Sequence, residues 1–169
     1  MKATVAITIF AILCLLTSIG LAPKVIAQQS VANWPMFQAD PSHSGEGKGN
    51  PVLAPTLLWN FTTTNGVWSS PAVVNGAVYV GSENIFYKGV QHGYVGNFYA
   101  LNAKNGAKIW NYTTADGDSS PALVGGIVYL GSWNDNVYAL NAANGAEIWS
   151  YPTGNIVDSS PTVVNEVVT

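Results

Sequence analysis

From residue 57 onward the apolar residues fall in short runs, and each run is closed by a turn signal before it can grow into a helix. Ala72–Val74 and residues 77–80 flank Asn75-Gly76, the dipeptide best suited to a two-residue hairpin because both central residues need positive φ. Gly125-Gly126 holds the same place fifty positions later. Residues 97–102 and 107–113 flank Lys104-Asn105-Gly106, and residues 136–141 and 146–151 flank Ala143-Asn144-Gly145. The pattern predicts units of four short antiparallel strands, each a meander. Val78-Tyr79-Val80 and Val128-Tyr129-Leu130 are apolar on both faces of their strand, whereas an antiparallel sheet with one wet face alternates. Each sheet is therefore expected between neighbours of its own kind.

The units are copies. Ser69 to Ser82 returns as Ser119 to Ser132 with ten of fourteen positions identical. Tyr99 to Trp110 returns as Tyr138 to Trp149 with two differences, Lys104/Ala143 and Lys108/Glu147. A third pass opens at Ser159-Ser160-Pro161. Pro71 to Pro121 is 50 residues and Pro121 to Pro161 is 40, so the bare unit is 40, and residues 83–96 form an insertion in the first copy. Four-stranded sheets that repeat at this period and stack face to face make a β-propeller. The expected fold class is all-β, with about two blades and the start of a third.

The region before the repeats is different. Lys2 precedes an uncharged apolar run, and Val25-Ile26-Ala27 ends in a small residue, which reads as a secretory signal over residues 1–27. An uncleaved anchor is the alternative, since about eighteen apolar residues just span a bilayer. Cys14, the single cysteine, lies inside that run after Leu13, which is too large for a lipidation signal. The mature chain would have no thiol, so its stability must come from packing. Residues 28–56 read as an extended segment, rich in Gly, Pro and Ser from residue 38 on.

Charge narrows the partners. The net charge is −3, with six lysines and no arginine, and it becomes −5 once Lys2 and Lys24 leave with the signal. No basic patch exists to hold phosphates, which excludes nucleic acid. Membrane contact is expected only through the N-terminal segment, if it stays uncleaved.

The stretches Ala100 to Trp110 and Ala139 to Trp149 resemble the tryptophan-docking motif of pyrroloquinoline-quinone-type (PQQ-like) β-propellers, A-x-D-x-x-x-G-x-x-x-W, with Asn102 and Asn141 at the Asp position. Trp34-Pro35-Met36-Phe37 and Leu57-Leu58-Trp59 are similar to the opening of such propellers. The resemblance implies that Trp110 and Trp149 wedge across blade junctions over Gly106 and Gly145, with Ala100 and Ala139 beside them. Trp59 does the same from an opening strand over 57–66. Blades then occupy 67–114 and 115–154, with 155–169 a truncated third. Such propellers usually have about 4–8 blades, so the chain reads as the N-terminal part of a longer one.

The family's quinoprotein enzymes hold their quinone with a vicinal cysteine pair, a Ca²⁺ site and an arginine. None of these is expected in the mature chain, so no catalytic residue, metal ligand or cofactor is expected. PQQ enters only if further blades supply its site. His43 and His92 have no zinc spacing, and Ser119-Ser120 and Ser159-Ser160 read as polar turn caps before Pro121 and Pro161.

In a four-stranded blade the connections between its second and third strands leave on the side where one blade leads to the next. That side is the expected binding face, with Trp68, Tyr87, His92, Asp118, Trp133 and Asp158 as its candidates; the plain alternative is a solvated loop of variable length. Asn60-Phe61-Thr62 and Asn111-Tyr112-Thr113 are N-glycosylation sequons. The resulting expectation is an exported, non-catalytic propeller module that binds other proteins or cell-surface components. The alternatives are part of a quinone-dependent dehydrogenase and a sensor domain of a larger protein.

Overall fold

The computed structural model describes residues 33–46, 56–83, 96–114 and 119–169. The expected signal over 1–27 lies outside them. Two four-stranded antiparallel sheets carry the chain. The first runs β1 (Ala72–Val74), β2 (Ala77–Ser82), β3 (Gly96–Asn102) and β4 (Lys108–Thr114) in sequence order. The second repeats it with β5 (Ala122–Val124), β6 (Ile127–Ser132), β7 (Asn136–Asn141) and β8 (Glu147–Pro152). A third begins as the hairpin β9 (Val163–Val164) and β10 (Val167–Val168).

The turns form as the dipeptides require. Asn75 and Gly76 have φ of 50° and 78°, and Gly125 and Gly126 have 60° and 80°. The third hairpin puts Asn165 and Glu166 into the same region, at 48° and 67°.

Register explains why the repeated residues recur. Tyr79, Ala100 and Trp110 lie side by side across β2, β3 and β4, as Tyr129, Ala139 and Trp149 do across β6, β7 and β8. The fully buried alanine leaves room for its two large neighbours, whose rings are 5.9 Å apart in both blades. Between the sheets Tyr79, Phe98 and Trp110 of the first blade meet Leu123, Val128, Leu130 and Leu140 of the second. This two-faced burial, expected from the strand pattern, is the main hydrophobic core.

Two stretches differ from expectation. Among the described residues, 57–66 form no strand ladder, and their one backbone bridge joins Gly66 to Glu83. They are held by side chains, Trp59 and Phe61 packing on Val80, Tyr99 and Leu101. The stretch after Asn33 is more than a connector. Trp34 bridges to Val73 of β1 through two backbone hydrogen bonds of 2.6 and 2.8 Å, and the Pro35 carbonyl accepts from the Leu123 N–H of β5 at 2.8 Å. Met36 is buried against Ala122 and Val163, and His43 Nε2 is 3.0 Å from Thr162 Oγ1. Residues 34–43 thus strap together the innermost strands of all three repeats.

Candidate functional site

The blade junctions are built by one recurring device. Trp110 Nε1 donates to the Ala142 carbonyl at 2.9 Å, and Trp59 Nε1 donates to the Ala103 carbonyl at 2.9 Å. Beneath each indole is a glycine. A Cβ on Gly145 would lie 2.7 Å from the Trp110 ring, and one on Gly106 2.6 Å from the Trp59 ring. Both glycines also have positive φ, 73° and 71°, so the turn and the close approach each exclude a side chain. The Ala142 carbonyl receives a second donor, the Tyr79 hydroxyl at 3.1 Å. Trp149 keeps its partner Tyr129 but is 38% exposed, against 8% for Trp110, because no described docking glycine lies beneath it.

The serine pairs are not turn caps. Ser120 Oγ accepts from the Ser70 N–H at 2.9 Å, and Ser160 Oγ accepts from the Ser120 N–H at 3.1 Å. Each hydroxyl reaches back to the preceding repeat. The first serine of the pair works within its own blade, Ser69 and Ser119 Oγ accepting from Gly81 and Gly131 N–H at 2.9 and 3.0 Å. The sequence signal was the exact repetition of both serines, which a cap alone does not require.

Of the six candidates for the binding face, Tyr87, His92 and Asp118 lie outside the described residues. Trp133 and Asp158 are brought together: the indole Nε1 donates to the Asp158 carboxylate, tying the β6–β7 turn to the chain that enters the third repeat. The Asp135 carbonyl reinforces this tie by accepting from both Thr153 N–H and Oγ1, at 2.7 and 2.9 Å. Trp68 sits just before Ser69 and is 64% exposed.

Glu83 was not foreseen. It is 6% exposed, and its Oε2 has no hydrogen-bond partner among the described residues. It stands two residues after Gly81, where the second repeat places Trp133 after Gly131, and that offset was its only signal. A buried carboxylate oxygen left open is a group that a donor from a ligand would satisfy. A cavity between the blades, lined by Ser82, Asn97, Thr114 and Ser119 among others but not by Glu83, measures about 10 Å³ and holds one water at most. The opposite end carries an open groove over Tyr79, Ile109, Gly125 and Ala142.

Among the described residues no three His, Cys, Asp or Glu side chains converge as metal ligands. The chain has no arginine, and Cys14, its one cysteine, lies within the first 27 residues.

Stacked four-stranded blades joined by indole wedges define a β-propeller repeat protein. Residues 55–169 match the family described as outer membrane protein assembly factor BamB, and the chain belongs to that PQQ-like repeat family. No curated protein sequence matches it. Among solved structures it is similar to quinohemoprotein alcohol dehydrogenase from Comamonas testosteroni, at 23% identity and a TM-score of 0.65, covering 81% of this chain and 22% of that one. BamB from Moraxella catarrhalis is similar over 64% of this chain and 35% of its own, at 21% identity and a TM-score of 0.50. A europium-containing methanol dehydrogenase gives 21% identity and a TM-score of 0.64 over 81% of this chain and 27% of its own. The chain thus spans between about a fifth and a third of the length of these proteins. At these identities they share its fold.

Proposed function

We propose that the chain is an exported, non-catalytic binding or scaffolding module that engages protein partners through the end of the blades carrying Trp68, Trp133 and Asp158. The observation that carries this reading is Trp68. Trp59 and Trp110 are wedged into junctions, whereas Trp68 leaves most of its surface open beside the route into the first blade. Exposed tryptophans at a rigid edge are the residues that most often dominate protein interfaces. The family, described as an assembly factor, supports a protein partner and a location outside the cytoplasm. The expected signal over 1–27 supports the same location.

The test is differential capture of envelope proteins by cross-linking to the full-length protein. Trp68→Ala and Trp133→Ala should each lose the captured species, while Ile109→Ala, in the opposite groove, should keep it. Retention by both tryptophan variants would overturn the assignment of this face. A rise in melting temperature on adding quinone and Ca²⁺ would overturn the non-catalytic reading.

A further inference from the structure

We infer that Asn60 and Asn111 are a matched pair of N-glycan acceptors, held outward by the same wedge that joins the blades. Both follow a junction tryptophan in the order Trp-Asn-aromatic-Thr: Trp59-Asn60-Phe61-Thr62 and Trp110-Asn111-Tyr112-Thr113. In each, the tryptophan is fixed inward by its indole hydrogen bond at 2.9 Å. The aromatic two residues on is also turned inward, Phe61 lying 5.3 Å from Tyr99 and Tyr112 lying 5.6 Å from Tyr138, centroid to centroid. With both flanking side chains anchored on one side of the extended chain, the asparagine between them is directed to the other. Asn60, Thr62, Asn111 and Thr113 are all exposed. Asn111 Oδ1 accepts from Lys108 Nζ at 3.0 Å, and no described residue takes up the Nδ2 hydrogens of either asparagine. The second repeat has no such acceptor, because Trp149 is followed by Ser150-Tyr151-Pro152.

The position also gives the modification a purpose. β4 is the outermost strand of its sheet, and its outer edge pairs with no described strand. Unpaired strand edges template association with other chains, and bulk placed on them blocks it. A glycan at Asn111 is carried by that edge strand, and one at Asn60 by the ladder-free segment. The donor is a polyprenyl-phosphate-linked oligosaccharide acted on by a membrane transferase. The Asn Nδ2–C1 bond forms and the C1–O bond to the lipid phosphate breaks. The phosphate leaves on the lipid, and the amide gives up one proton.

This inference rests on the export reading, and one experiment separates the two. Protein purified from the cells that make it is analysed by intact-mass and peptide mass spectrometry. Glycan mass is expected on the peptides holding Asn60 and Asn111. Asn60→Gln and Asn111→Gln should each remove one increment. Thr113→Ala should remove the second while leaving Asn111 in place, and Thr113→Ser should keep it, which a purely structural asparagine would not do. Bare Asn60 and Asn111 on a chain that begins at Gln28 would overturn the inference alone. Bare asparagines on a chain still carrying residues 1–27 inside the cell would overturn it together with the export reading.

Discussion

At the scale of single residues, the junction depends on absences as much as on side chains. Gly145 and Gly154 share a left-handed backbone, with φ of 73° and 80°, but a Cβ on Gly154 meets nothing within 4 Å. Gly154→Ala should therefore cost about 1–2 kcal/mol, the strain of an L-residue in that conformation. Gly145→Ala adds displacement of the Trp110 ring, raising the loss to roughly 3–4 kcal/mol. Urea denaturation of the two variants checks the difference, and equal losses would mean that the indole does not bear on residue 145. The Asn residues at the motif's Asp position follow a comparable logic. Asn102 and Asn141 Oδ1 accept the N–H two residues ahead, of Lys104 and Ala143, each at 2.9 Å. An amide oxygen serves this turn without the charge of an aspartate.

At the scale of the strand, β4 and β8 are tied by a polar contact at their exposed rim. The Tyr112 hydroxyl donates to Glu147 Oε2 at 2.6 Å. Burial, and then this carboxylate, push the Tyr112 hydroxyl upward, while the bond from Tyr112, helped by Ser150, holds the Glu147 carboxyl below its ordinary value. The unfolded chain therefore takes up this proton first. The contact's contribution is present above the ordinary glutamate range and is lost as pH falls through the lower folded value. Glu147→Gln should flatten the acid limb by lowering stability at neutral pH while leaving it little changed in acid, as thermal melts between pH 3 and 7 would show. The strands themselves were legible because short apolar runs, the turn dipeptides that close them and near-identical copies all carry the same message. The strap over 34–43 was not: Asp40-Pro41-Ser42 reads as connector, and only Met36 is buried through it. Nor was the ladder-free course of 57–66, since side-chain docking leaves the same apolar trace in sequence as strand pairing. On the proposed binding face the bond between Trp133 and Asp158 was not foreseen from sequence, and Glu83 was overlooked.

At the scale of the molecule, the strap links the start of the described chain to its last repeat. Met36→Ala removes the side chain that meets Ala122 and Val163, and should lower stability by roughly 2–4 kcal/mol. The loss should be felt across repeats: amide exchange should quicken at Leu123, whose N–H is held by Pro35, and at Thr162 and Thr169, which bond one another. Unchanged exchange at these amides would make the strap an ornament on an independently stable array. The serine relay has a different implication. Each repeat offers a backbone N–H forward and a hydroxyl backward, and nothing in that exchange depends on how many members the series has. A duplicated copy of the gene segment for residues 121–160 would arrive carrying compatible contacts at both of its ends. Lengthening by tandem copying then demands no matched change elsewhere, and the near-identity of the first two copies is what so permissive a joint leaves behind.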